Sequence, residues 1–192
     1  MPPKNKFTKQ QFIDAAFEIA KKEGFDKITL RGLAGHFGCS VAPIYVNFTD
    51  IEDLKNHVVG KAISLYEEMI SAQKTENDVS DIEIASVLFA KENPLLFEET
   101  VLKRNPRYVA TIEKRKNIAL QQIKKSPMLE NVEENDIKFL LFKKKAFQEG
   151  LALLATNPAY ADIFTEKTII ALLKSASKDF MRNVKQQTRD DT

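Results

Sequence analysis

The side chains best equipped for metal ligation or nucleophilic attack in this 192-residue chain are His36, His57 and Cys39, and their spacing gives them no shared chemistry. The histidines fall on separate helical patterns, and neither has a Cys or carboxylate partner at metal-ligand spacing. A phosphate-cradling glycine loop and a Gly-x-Ser-x-Gly elbow are also missing from the sequence, so no catalytic residue, metal or cofactor is expected, and the chain does not read as an enzyme. Cys39 has no second cysteine to pair with and reads as a packing residue in a turn. Residues 37–48, "FGCSVAPIYVNF", offer a different chemistry. They hold no Lys, Arg, Asp or Glu, although charged residues make up 29% of the chain. A tyrosine and an asparagine remain as hydrogen-bonding groups among slim apolar side chains.

The surrounding elements decide how these groups are presented. Apolar positions recur with helical spacing, and no alternating run bounded by turn signals makes a strand, so the fold class is all-α. Thr8 is an N-cap for a first helix whose stripe, Phe12, Ala16, Ile19 and Ala20, ends at Gly24. Thr29 caps a short helix from Leu30 to about Phe37 that stops at Gly38, and Ser40 is the expected cap of another, Val41 to Phe48. Thr49 and Asp50 open a long helix with two apolar ridges, and the polar stretch from Ser71 to Asp81 is the linker candidate. Further helices are expected over 79–92, 94–102, 106–125, 134–155 and 160–185, punctuated by "NPLL", "NPRY", "SPM" and "NPAY".

Composition agrees with a globular interior: 43% of residues are hydrophobic, including 13 Phe. No apolar run approaches the roughly 18 residues of a membrane span, and the lysine-bearing amino terminus lacks the apolar segment of a signal peptide. A cytoplasmic protein with no membrane association is expected. The net charge is only +2. Yet Lys4, Lys6, Lys9, Lys21, Lys22, Lys27 and Arg31 exceed Asp14, Glu18, Glu23 and Asp26 by three before Thr49. The basic excess therefore accompanies the uncharged stretch.

Two short helices around a glycine turn, between a first helix and a long fourth, make a helix-turn-helix in a three-helix head. A helix entering the major groove needs a slim exposed side for base edges and thymine methyls, and an apolar side to dock it. Ile44 and Phe48, four apart, are placed to dock, which leaves Val41, Ala42, Pro43 and Asn47 toward a groove. One such helix reads only a few base pairs, so a homodimer presenting two copies about 34 Å apart on a double-stranded palindrome is expected.

The segment "FIDAAFEIAKKEGFDKITLRGLAGHFGCSVAPIYVNFTDIEDL" resembles the TetR-type transcriptional regulators over about Thr8 to Leu54. It matches their apolar first helix ending in "EGF", followed by "TLR.LA...G.S...IY..F...EDL". The resemblance implies a DNA-binding domain, 1–50, joined to a helical ligand-binding and dimerisation domain, 51–192, and a dimer formed through the last two long helices. It implies that Thr29 touches phosphate, that Arg31 supplies a cation near the backbone, and that Tyr45 donates its hydroxyl to a phosphate. Asn47 would reach a phosphate or a base edge, and Val41, Ala42 and Pro43 would make the apolar and backbone contacts. The family often has Lys where this chain has Val41 and Ile51; Lys55 and the arm lysines Lys4, Lys6 and Lys9 are the substitutes. Gly32 and Gly35 in the second helix each cost about 1 kcal/mol against Ala if exposed.

Beyond Ser71 the pattern is less specific. Phe89, Phe97, Phe139, Phe142 and Phe147 are candidates for a pocket taking a small hydrophobic effector, with Tyr108, Gln121, Gln122 and Gln148 as polar anchors; plain core packing is the alternative for each. Leu151, Leu154, Leu172, Leu173, Ala176 and Phe180 are candidates for a two-fold interface, or for internal core. Lys143 to Lys145 read as a solvated face. The reading is a ligand-responsive repressor; the alternative is a TetR-like helical protein that has lost operator binding and acts through protein partners.

Overall fold

In the computed structural model, residues 7–75, 78–124, 129 and 132–190 are described, excluding the side chains of 78, 116, 118–124 and 183–190. Among them all regular structure is helical: α1 Lys9–Glu23, α2 Leu30–Phe37, α3 Ala42–Asn47, α4 Ile51–Ala72, α5 Asp78–Glu92, α6 Pro94–Phe97, α7 Pro106–Lys124, α8 Glu134–Ala155 and α9 Glu166–Asp190. Two compact units result. The first holds the described residues up to Leu65 together with Asn93–Val109; the second holds Tyr66–Glu92 and the described residues from Ala110 onward.

Local chemistry sets the helix ends of the first unit. At the start of α1, Gln11 N–H donates to Thr8 Oγ1 at 3.2 Å and Thr8 N–H to Gln11 Oε1 at 2.8 Å, a reciprocal capping box. Gly24 ends the helix at φ 94°, a region that disfavours side chains. Thr29 caps α2 through Gly32 N–H at 3.0 Å, and Gly38 closes it in the left-handed conformation, where Cys39 N–H returns to Ala34 O at 2.9 Å. Asp50 Oδ1 accepts Asp53 N–H at 2.7 Å while Asp53 Oδ2 accepts Thr49 N–H at 3.1 Å, which starts α4. The buried faces of these helices meet around Phe12, whose ring lies 4.8 Å from Phe37 and 6.4 Å from Phe48. Ile44, Leu33, Leu54 and Val58 complete that interior.

The second unit is built on α5, which packs on both α8 and α9. Residues 83–90 are buried without interruption, so α5 is enclosed on all sides rather than along one stripe. Its polar members are satisfied: Ser86 Oγ lies 2.6 Å from Tyr66 Oη and donates to Ile82 O at 2.8 Å. Glu83 pairs with Lys144 of α8 at 3.2 Å, and the same ammonium donates to Ser177 of α9 at 2.8 Å. The expected solvated face at Lys143 to Lys145 is therefore corrected at its centre, because Lys144 is drawn inward by a buried carboxylate.

Two boundaries differ from expectation. The stretch Ser71 to Asp81 is helical at both ends, with α4 reaching Ala72 and α5 starting at Asp78. The last helix begins at Glu166 rather than 160: Pro158–Tyr160 is a separate 3₁₀ turn capped by Asn157, and Thr165 Oγ1 accepts Thr168 N–H at 3.2 Å to start α9. Lys91 Nζ donates to Phe164 O at 2.5 Å, tying the intervening loop to α5.

Candidate nucleic-acid interface

α3 is short, and its two faces are unlike. Ile44 is fully buried and Phe48, just past its end, is 3% exposed, whereas Tyr45 is 54% and Val46 67% exposed. Ala42 is also exposed, so Ala42, Tyr45 and Val46, at i, i+3 and i+4, form one outward surface without charge. Val41, Pro43 and Asn47 flank it, half-buried. Val46 is not among the groove residues read from the sequence; its place one turn from Ala42 is the signal that marks it.

Ser40 does not cap α3. The N-cap position belongs to Val41, with helical φ −71° and ψ −16° and no side-chain cap. Pro43 explains the difference: it sits in the first turn, where it removes one of the amide donors a serine hydroxyl would accept. The next two donors, Ile44 N–H and Tyr45 N–H, already reach Val41 O at 3.0 and 3.3 Å. Ser40 stays exposed on the turn.

The polar and cationic candidates differ in how far they are engaged. Asn47 Nδ2 donates to Pro43 O at 2.8 Å, which fixes the amide and leaves its second N–H and its oxygen outward-capable. Thr29 Oγ1 is the α2 cap, and Arg31 is exposed in the first turn. Lys9 lies 5.1 Å from the centroid of the Phe48 ring. Lys55 donates to Glu52 Oε1 at 3.0 Å, so this substitute cation starts from an ion pair. The Thr49 amide holds the Asp53 carboxyl below the usual carboxylate range, with His57 and Lys9 adding to the effect. Lys4 and Lys6 lie outside the described residues.

The effector candidates are dispersed. Phe97 is buried in the first unit, where Tyr108 is half-buried; Phe89 is buried in the second, its ring 5.6 Å from Tyr66. Phe139 and Phe142 stand on the outside of α8, 53% and 66% exposed, with Lys143 Nζ 4.4 Å from the Phe139 ring. Phe147 packs 6.1 Å from Phe180. Gln148 is half-buried, while the side chains of Gln121 and Gln122 lie outside the described residues.

The interface candidates divide too. Leu151 and Leu173 are buried within the unit, Leu172, Ala176 and Phe180 are half-buried, and Leu154 is exposed. Phe180 packs on the buried Leu129 and Leu140. The outer side of α8 instead carries Phe139, Phe142, Ala146, Gly150 and Leu153, all exposed.

Among the described residues no cluster of His, Cys, Asp or Glu is disposed to hold a metal ion, and no helix is long and apolar enough to cross a membrane. No family model matches the chain. The uncharacterized HTH-type transcriptional regulator YobS of Bacillus subtilis (strain 168) is 25% identical over 107 residues, 54% of this chain and 56% of that protein. The match therefore spans about half of the relative's length. A transcriptional regulator from Rhodococcus sp. Rha1, known from a crystal structure, shares the fold with a TM-score of 0.56 and 15% identity, covering 92% of this chain and 97% of that one. The sequence relative supports a transcriptional regulator as the broad class, and the structural neighbour shows the all-helical fold.

Proposed function

We propose that the chain is a TetR-type transcriptional regulator, a ligand-responsive repressor that binds a palindromic operator as a homodimer. The observation that carries this reading is the charge-free outward surface of α3, Ala42, Tyr45 and Val46, docked by Ile44 and Phe48. Thymine methyls suit Ala42 and Val46, and the Tyr45 hydroxyl suits a phosphate oxygen. Arg31, exposed in the first turn of α2, and Lys9 supply cations in the same unit, which makes the affinity salt-dependent. Residues 1–50 are the DNA-binding region in this reading and 51–192 the ligand-binding and dimerising region. α4 is common to both compact units, passing from one to the other at Leu65 and Tyr66, and is the covalent route by which an effector biases operator binding.

The outer side of α8 suits the two-fold contact: Phe139, Phe142, Ala146, Gly150 and Leu153 recur at helical spacing. A Cβ at Gly150 meets no atom within 4 Å, which leaves room for a partner helix.

Selection of bound sequences from random duplexes at two salt concentrations tests the reading. A palindrome with a steep negative salt slope is expected, and Tyr45→Phe weakens it by about tenfold, the worth of one hydrogen bond to a charged group. Absence of binding to any duplex at low salt overturns operator recognition. That outcome favours the second reading, a TetR-like protein acting through protein partners, to which the Glu52-bound Lys55 lends support.

A further inference from the structure

A groove of about 420 Å³ runs between α5 and α9 in the second unit. This volume lies within the range of small-molecule sites, about 300–1,000 Å³. Its floor is apolar: Ile84 from α5 and Ile170, Leu173 and Met181 from α9. None of the residues singled out for an effector from the sequence lines it.

The charges around this floor choose the ligand. Lys174, Lys178 and Arg182 recur every fourth residue along α9, all three are exposed, and all three line the groove. Among the described residues no carboxylate forms an ion pair with any of them. The one carboxylate in the lining, Glu83, already has its countercharge 3.2 Å away in Lys144, which Ser177 also engages. A cationic ligand must displace that ammonium from a buried pair, and a neutral apolar ligand leaves the three cations unused. An anionic head on an apolar tail uses both features.

We infer that this groove binds a single-chain amphiphile with an anionic head, its alkyl chain along Ile84, Ile170, Leu173 and Met181 and its head at Lys174, Lys178 and Arg182. That this ligand is the effector rests on the regulator reading; that it binds here does not.

Isothermal titration of the full chain with decanoate below its micelle-forming concentration tests the site, with butyrate and 1-decanol as companions. One decanoate per chain is expected, with butyrate and 1-decanol each at least about tenfold weaker because one lacks the tail and the other the charge. The triple variant Lys174→Gln, Lys178→Gln, Arg182→Gln changes only exposed side chains and keeps the wild-type melting curve, yet weakens decanoate by at least about tenfold. Ile170→Gln weakens decanoate through the floor instead. No decanoate binding, 1-decanol binding as tightly as decanoate, or an unchanged affinity in the triple variant overturns the inference. Release of the selected duplex by decanoate is read separately: decanoate bound with the duplex retained leaves the groove standing and removes its regulatory role.

Discussion

Asp14 and Asp53, in the first unit, lie near solvent and are held below the ordinary carboxylate range, whereas Glu83, in the second, is buried and pushed above it. The causes differ accordingly. Lys61 and Gln10 hydrogen-bond the Asp14 carboxyl and the Thr49 amide holds Asp53, both favouring the charged form. For Glu83, burial outweighs the attraction of Lys144. The first unit thus spends its carboxylates at caps and surface bridges and keeps α3 free of them, so that its outward surface can be slim. The second takes a charge pair inside, where Lys144 joins it to a third helix through Ser177.

Breaking the buried pair gives the largest expected effect. Glu83→Gln leaves the Lys144 ammonium without a countercharge and lowers unfolding free energy by about 3–5 kcal/mol in urea titration, while Glu83→Leu with Lys144→Met restores most of the loss. In the first unit the corresponding lesion is a cavity rather than a charge: Ile44→Ala costs about 2–5 kcal/mol and abolishes duplex binding by undocking α3. Phe142→Glu sharpens the contrast between the two exposed apolar helices. In the proposed dimer it weakens self-association by about 2 kcal/mol, measured by sedimentation equilibrium, without changing monomer unfolding. An unchanged oligomeric state excludes the outer side of α8 as the contact.

The smallest effect is the pH dependence, and its sign separates the units. Depressed groups such as Asp14 contribute stability that is full above their ordinary range and lost as pH falls through their folded values. Glu83, being raised, contributes most below its ordinary range and less as pH rises through its folded value. Asp14→Asn therefore flattens the acid limb of the stability curve, whereas Glu83→Gln steepens it. Urea midpoints between neutral pH and the acid range check both.

The sequence carried the local features well, because caps and turns are written in neighbouring residues. Thr8, Gly24, Thr29 and Gly38 mark helix ends by their own chemistry, and the spacing of Ile44 and Phe48 identified the docked side of α3. What it could not supply is which side of an amphipathic helix meets a neighbour. α8 carries apolar residues on more than one side, so spacing alone leaves pocket, core and interface open for them: Phe139 and Phe142 face out, and Leu151 takes the internal-core alternative. The pairing of Glu83 with Lys144 links residues far apart in the chain, and a run of three lysines gives no hint that its middle member turns inward. The late start of α9 is written locally, in the Asn157-capped turn and the Thr165 cap, and the long-range contact of Lys91 with Phe164 O, 73 positions apart, adds to it.

A methyl added at position 32 would arrive 2.9 Å from the Thr29 hydroxyl that starts the helix. Gly35, one turn on, faces open space. Attempts to harden the protein by swapping glycine for alanine should thus diverge within a single short helix. Position 35 gains about 1 kcal/mol from the stiffer backbone, while position 32 gains less, because the Thr29 hydroxyl must shift to admit the new methyl.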